Sequence, residues 1–295
     1  MGRAHEQTDV GELMDRRARL RDEARTDGSA QDELDRVTEA LAGLLAEAEP
    51  VVRLVPGDDP TGLARRLLLR EPVHPLDPDQ DLDAAVADRT DVDRRLVVLE
   101  HPLLPGRPMN VVWVALCRGV PASIDELLDP SLPALDPATA DTAAFWSIWN
   151  AEPGLAGLGR GRVLIEGAID LLTAGLPQLR TAVTLSPVPT LRTWLADRGV
   201  ADAPGTERLL RDAARYLATP GPDGRPTDPV ARFHLGNGAS LWRVVADADR
   251  STRGHDRSFG VMANYRYEPE DRAANRAALR DGRVATSPEV AALLS

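Results

Sequence analysis

The sequence predicts an α/β (α+β) chain with a mixed central sheet, preceded by a small helical segment. Three observations carry this. Residues up to 70 are either charged or apolar at helical spacing. From residue 94 onward, short apolar runs bounded by Pro and Gly recur as strands. Between those runs lie stretches whose apolar positions repeat with the 3.6-residue period of a helix. The organisation expected is a helical segment over 1–70, for packing or oligomerisation, and one larger domain over 71–295.

The bulk properties narrow the functional classes. The chain has 295 residues, 43% of them hydrophobic, which is enough for a core. A net charge of −11 argues against a nucleic-acid partner, whose footprint would be basic. The single cysteine, Cys117, lies in an apolar run and reads as a buried small hydrophobe. No apolar stretch approaches the roughly 18 residues of a membrane span, and no secretory signal is read at the start, so no membrane partner and a cytoplasmic location are expected.

Residues 13–25 carry many charges and few apolar anchors and read as a solvated helix. Residues 31–49 make a better amphipathic helix, with Leu34, Val37, Leu41 and Leu44 or Leu45 on one face. That face is larger than an isolated appendage would expose, so a homo-oligomer is expected. Pro50, Pro56 and Pro60 interrupt the pattern, which resumes over 63–70. Residues 72–83 read as a connection, with Asp79, Asp81 and Asp83 a solvated acidic turn.

Residues 96–99 and 111–116 read as an antiparallel pair of strands. Ser123 and Glu126 have capping-box spacing and should start a short helix through Leu128. Residues 142–149 read as a strand. A helix over 163–172 follows, with Leu164, Ala168, Leu171 and Leu172 inward, stopping near Gly175. Residues 181–186 form a strand that Pro187 and Pro189 end, leaving Ser186 at its C-terminal end, where ligands collect in α/β sheets. Helices are expected over 190–198 and 206–217. Asp228 followed by Pro229 is an N-cap and first-position proline for a helix ending at 236–238. Strands over 240–245 and 260–267 and Ala-, Leu- and Arg-rich helices close the chain. Trp113, Trp146, Trp149, Trp194 and Trp242 read as core.

Between the 142–149 strand and the 163–172 helix lies Gly154-Leu-Ala-Gly-Leu-Gly-Arg-Gly-Arg162, with four glycines in eight residues. Strand, glycine loop and helix is a way to hold a phosphate: glycine lets backbone approach, and the first amides of the helix favour an anion. Arg160 and Arg162 would strengthen it. The loop is neither a Walker loop nor a dinucleotide fingerprint, and a plain turn before a core helix explains it equally well.

The five histidines (His5, His74, His101, His234 and His255) show no metal-ligand spacing, so no metal is expected. No Gly-x-Ser-x-Gly elbow is present. Ser186, at a strand end, and His234, in the last turn of a short helix, draw attention by position. A helix C-terminus favours imidazolium and burial opposes it. Taken by residue type and position alone, His234 reads more readily as a capping or core histidine, and Ser186 more readily still as a cap for the next helix.

Several segments, in order, resemble the malonyl-CoA decarboxylase family. They are Glu71-Pro-Val-His-Pro75, His101-Pro-Leu-Leu-Pro105, Val114-Ala-Leu116, Phe145-Trp-Ser-Ile148, the glycine loop, and Val183-Thr-Leu-Ser-Pro-Val-Pro189. The most specific are Asp228-Pro-Val-Ala-Arg-Phe-His-Leu-Gly-Asn-Gly-Ala239 and Met262-Ala-Asn-Tyr-Arg-Tyr267. The resemblance implies an acetyltransferase-like (GNAT) acyl-CoA-binding domain with a splayed sheet. It implies a carboxy-lyase of fatty acid metabolism that turns malonyl-CoA into acetyl-CoA and CO2, with no cofactor beyond the CoA thioester, which is itself the substrate. It places the family's proton acceptor on Ser186 and its proton donor on His234. Substrate contacts are implied at Ala156, Gly157, Leu158, Gly159, Arg160, Gly161 and Arg162, together with Ser186 and His234.

This sequence departs from the family in two ways. The helical part before the catalytic domain is short, and Gly159, Arg160 and Arg162 replace the loop residues of relatives. The alternatives are a malonyl- or methylmalonyl-acyl-carrier-protein decarboxylase or acyltransferase, partnered by an acyl-carrier protein, and an inactive CoA-binding protein.

Overall fold

The computed structural model describes residues 9–26, 28–158, 160–221 and 224–295. The first half of the chain runs α1 (Val10–Thr26), α2 (Gln31–Leu45), β1 (Val51–Val55), α3 (Leu63–Leu68), α4 (Leu82–Arg89), β2 (Arg94–Glu100), β3 (Asn110–Cys117), α5 (Ile124–Leu127) and β4 (Thr142–Asn150). Then come α6 (Gly161–Gly175), β5 (Thr181–Thr184), β6 (Ser186–Pro187), α7 (Leu191–Ala196), α8 (Thr206–Ala218) and α9 (Pro229–Gly236). The chain closes with β7 (Ser240–Val245), α10 (Thr252–Ser258), β8 (Met262–Arg266), α11 (Arg272–Arg280) and α12 (Pro288–Leu294). The strands form a mixed sheet in the order β1-β2-β3-β4-β5-β8-β6, with β7 on β8. The α/β class expected from the sequence is therefore the one observed.

The chain folds into two compact units. One takes the described residues up to 90 with 95–113 and 148–171; the other takes 91–94, 114–147 and 172–295. In the first unit, Val37, Leu41 and Leu45 of α2 are buried, at the spacing the sequence predicts, and α1 packs on α2. Burying a side chain of this size stabilises by about 1.5–3 kcal/mol. The apolar face of α2 is thus covered within the chain, so a second copy is not needed to explain it.

One expectation for this unit is corrected. The first helix is not simply solvated: Val10, Met14, Arg17 and Leu20 are buried along it. A reading based on apolar periodicity finds the helix but misses its buried face, because one of the buried positions is an arginine. Asp79, Asp81 and Asp83 are exposed, as expected, and Asp81 has the further role of N-cap of α4, accepting the amides of Asp83 and Ala84. β1 was also unforeseen among its flanking prolines; it pairs antiparallel with β2, from Val51 opposite Glu100 to Val55 opposite Leu96.

In the second unit, β4 and β5 run parallel from Thr142 opposite Thr181 to Phe145 opposite Thr184. A last bond joins the Leu185 amide to the Phe145 carbonyl, and the chain then moves onto β8, pairing Ser186 with Ala263. This parting of a parallel pair is the splay that was expected. Between Val183, opposite Arg266, and Ser186, side chains replace the main-chain ladder. The Tyr265 amide donates to Thr184 Oγ1 (3.0 Å), and Asn264 Nδ2 donates to the Thr184 carbonyl (2.7 Å). Backbone groups in the interior must find partners, and here two side chains supply them.

Of the tryptophans, Trp113 and Trp146 are fully buried; Trp149, Trp194 and Trp242 are half-buried, and the last two carry arginines over their rings. Cys117 is half-buried, and desolvation pushes its thiol up to about 11.

Candidate functional site

The second unit brings two of the sequence-predicted residues together. Ser186 enters at the β5–β6 break, and His234 sits in the last turn of α9. That helix starts where the sequence places it. The Asp228 carboxylate accepts the amides of Val230 and Ala231 (2.9 Å each) and the Thr190 hydroxyl (3.0 Å). Asp228 is fully buried, and desolvation raises its pKa against those hydrogen bonds. Ser186 does not cap the following helix.

His234 Nε2 lies 3.2 Å from Ser186 Oγ, and His234 Nδ1 lies 2.9 Å from the Tyr267 hydroxyl. The Ser186 hydroxyl donates to Thr184 Oγ1 at 2.9 Å. With the serine proton committed there, Nε2 carries the imidazole N–H and donates to Ser186 Oγ, while Tyr267 donates to Nδ1. The order of donation is Tyr267 to His234 to Ser186 to Thr184. Tyr265 stacks on the imidazole with ring centroids 4.8 Å apart, and Phe233 meets it edge-on.

His234 is only 3% exposed. Desolvation lowers its pKa to about 3, so burial overrides the helix C-terminus and the ring is neutral at physiological pH. The sequence posed these opposing effects; the packing decides between them. Thr184 and Tyr267 were missed as partners. Both lie inside the segments that carry the family resemblance, so those segments were the signal available.

In the first unit, the glycine loop is built from α1 outward. Gly154 sits in a short 3₁₀ turn (Pro153–Leu155), where a Cβ would run into the Met14 carbonyl. This glycine therefore serves helix–loop packing, while Gly157 has φ +84°, which a side chain rarely tolerates. Arg17 donates from Nη1 to the carbonyls of Gly154 (2.5 Å) and Ala156 (2.9 Å), and from Nε to Thr38 Oγ1 (2.8 Å). Arg21 reaches the Ala156 carbonyl as well, at 2.6 Å. A peptide carbonyl and the amide that follows it point opposite ways across one plane. Tying the Ala156 carbonyl to α1 therefore turns the Gly157 amide away from α1.

The same helix is stapled to the segment before the loop. Arg107 bridges Asp15 and Glu152 (2.7 Å each), and Glu152 is also 3.5 Å from Arg70. The Arg107 guanidinium holds the Asp15 carboxyl below its usual range. Arg17 and Arg21 were not foreseen, because charged residues on a charged helix read as solvent-facing, and Arg107 was not because it lies in a turn between two strands.

Of the remaining loop residues, Leu158 donates its amide to the Leu155 carbonyl, and Arg160 spends one contact on the Leu45 carbonyl at 3.3 Å. Gly161 opens α6, whose first amides have no acceptor within the helix, and Arg162 is exposed. Gly159, expected as a substrate contact, lies outside the described residues.

His101 is structural: its Nε2 faces the carbonyls of Leu45 (3.2 Å) and Ala48 (3.0 Å). Among the described residues no group of three or more His, Cys, Asp and Glu side chains could hold a metal. No helix among them is long and apolar enough to cross a membrane.

Comparison with known proteins gives a consistent result. The family model for the malonyl-CoA decarboxylase C-terminal domain matches residues 51–206 and 200–295. The mitochondrial malonyl-CoA decarboxylase of Anser anser anser is 30% identical over 74% of this chain and 52% of its own length. That of Mus musculus is 28% identical over 70% of this chain and 51% of its own. The chain thus spans about half the length of the curated relatives it matches. Among solved structures, the malonyl-CoA decarboxylase of Rhodopseudomonas palustris is 32% identical, with a TM-score of 0.85 over 95% of this chain and 75% of that one. That of Agrobacterium vitis is also 32% identical, with a TM-score of 0.86 over 97% and 76%. The chain belongs to the malonyl-CoA decarboxylase family.

Proposed function

We propose that this chain decarboxylates malonyl-CoA to acetyl-CoA and CO2, with the proton delivered through His234. The observation that supports this best is the buried Tyr267–His234–Ser186–Thr184 hydrogen-bond chain in a member of this family. In the reaction, the electrons of the bond to the departing carboxylate move onto the thioester carbonyl. CO2 leaves, an enolate forms, and its α-carbon takes one proton. The thioester is the electron sink, so the protein's tasks are to stabilise the oxyanion and to supply the proton.

A neutral imidazole gives up its N–H reluctantly. The ring in this site can stay neutral throughout: as Nε2–H leaves toward the α-carbon, Nδ1 accepts the Tyr267 proton, and the Tyr267 phenolate so formed takes back one proton from solvent before the next turnover. Ser186 either orients the malonyl group or turns its hydroxyl from Thr184 Oγ1 to donate to the developing oxyanion. The glycine loop is our proposed grip for the carrier's pyrophosphate, through the Gly157 amide, the first amides of α6 and the exposed Arg162.

Mass spectrometry of malonyl-CoA incubated with the protein should show acetyl-CoA and one CO2 per turnover. Folded His234→Gln protein should lose that activity, and wild-type rates in this variant would overturn the assignment. Parallel assays with methylmalonyl-CoA and a malonyl-acyl-carrier protein would identify the acyl group and carrier preferred.

A further inference from the structure

The buried chain of hydrogen bonds that starts at Tyr267 ends on Thr184, a side chain with no part of its own in the reaction. Its surroundings give it a task. Where β5 gives way to β6, the register against β8 is the same on both sides: Val183 stands opposite Arg266 and Ser186 opposite Ala263. Thr184 therefore faces Tyr265. The Thr184 carbonyl receives Asn264 Nδ2 (2.7 Å), and the Tyr265 amide donates instead to Thr184 Oγ1 (3.0 Å). Thr184 is fully buried and β-branched, so few rotamers are open to it. A main-chain donor thus pins a hydroxyl oxygen at one place beside the break in the ladder.

That fixed oxygen decides where one proton goes. Among the described residues, Ser186 Oγ has two side-chain partners, Thr184 Oγ1 at 2.9 Å and His234 Nε2 at 3.2 Å. A hydroxyl has one hydrogen to give. Given to Thr184, it leaves Ser186 Oγ as an acceptor, which the imidazole meets with Nε2–H. Given to His234, it requires a bare Nε2, and the ring must carry its hydrogen on Nδ1, facing the Tyr267 hydroxyl (2.9 Å). An imidazolium would be protonated on both nitrogens. This ring is neutral, so one tautomer excludes the other.

We propose that Thr184 is a positioning residue: by accepting the Ser186 hydroxyl, it holds His234 in the tautomer that carries its proton on Nε2. The bearing of this on turnover rests on the reading of His234 as the proton donor. The tautomer itself does not, and it can be read without substrate.

The test is nitrogen NMR of the full chain carrying isotope-labelled histidine, at neutral pH; the His234 signals are those missing from His234→Gln. Wild-type and Thr184→Ser protein should show Nε2–H. Thr184→Val should show Nδ1–H. Thr184→Cys, whose sulfur is a weak acceptor that still meets the Tyr265 amide, should move the same way and serves should valine prevent folding. With malonyl-CoA, Thr184→Val should lose at least about tenfold in kcat with KM within about twofold, and Thr184→Ser should stay within about threefold of wild type. In a Ser186→Ala background, Thr184→Val should cost nothing further in kcat, because Thr184 acts through Ser186. Nδ1–H in wild-type protein, or Nε2–H kept in both Thr184→Val and Thr184→Cys, would overturn the proposal whether or not the chain is active. Nε2–H in wild type with Nδ1–H in the variants supports it even if malonyl-CoA is not turned over, a result that would count against the functional reading alone.

Discussion

The two candidate regions are held in place by opposite physics. The glycine loop is positioned by charge: Arg17, Arg21, Arg107 and Glu152 tie it and its approach to α1, and all but Arg17 and Glu152 keep substantial solvent contact. The Ser186–His234 pair is positioned by burial: its partners are neutral hydroxyls and stacked rings, and its histidine is kept uncharged by desolvation. Ionic anchors near solvent are individually weak and screened by salt, whereas a buried neutral network is costly to disturb at any member. A phosphate grip has to admit a large, charged, mobile group. A proton path has to keep its distances and exclude water. Each region is held in the way its proposed task demands.

The contrast can be broken most severely at the dyad. His234→Ala should lower kcat for malonyl-CoA by about 10³-fold, in line with loss of a general acid. Ser186→Ala/His234→Ala should then lose little more than His234→Ala alone, because the two residues act as a unit. Steady-state CO2 release on the single and double variants checks this; additive losses would separate the two roles.

A smaller effect of a different kind is expected on the loop side. Arg17→Ala leaves the Gly154 carbonyl without its buried donor and should cost about 3 kcal/mol of stability. It should also raise KM about tenfold, the equivalent of about 1.4 kcal/mol in binding, while kcat stays within about twofold. Denaturant melts with initial rates would reveal the split. A fall in kcat with KM unchanged would contradict a positioning role for Arg17.

An effect on stability alone, with no change in the chemistry at neutral pH, sharpens the comparison through pH. The His234 pKa is lowered to about 3 in the folded chain, while an unfolded histidine titrates near 6.5. Between these values the unfolded chain binds a proton that the folded one refuses. The contribution is therefore fully present above about pH 6.5 and is lost as pH falls toward 3, at up to about 1.4 kcal/mol per pH unit. Denaturation curves from pH 4 to 7 should show this slope in wild-type protein and its loss in His234→Gln. Arg17→Ala should retain it.

Much of the architecture could be read in advance because it rests on local signals. The Asp228–Pro229 start of α9, the Ser123 cap, the glycine end of α6 and the α2 face all depend on residues within a turn or two of each other. Ser186 and His234 are 48 positions apart, and only the resemblance joined them before the fold did. What stayed hidden depends on distant polar contacts. Arg17 is buried because carbonyls 137 and 139 positions away need donors, and no periodicity in α1 records that need. The protonation state of His234 was likewise out of reach: the aromatic rings that surround it come from β8 and from a neighbouring position whose packing only the fold determines. The α10 helix, capped by Ser251 through the Gly254 amide, was overlooked between two strands because it is short and mostly polar.

The clamp of α1 on the loop also bears on what counts as a module in this family. The recognised C-terminal domain begins at residue 51 here, whereas Arg17 and Arg21 lie well before it. A fragment cut at that boundary would carry the loop without the two side chains that hold its carbonyls. Recombination or fragment design that treats residue 51 as a clean seam would sever a mutual dependence between α1 and the loop. For swapping purposes, the loop's smallest inheritable unit is discontinuous and takes in the start of the chain.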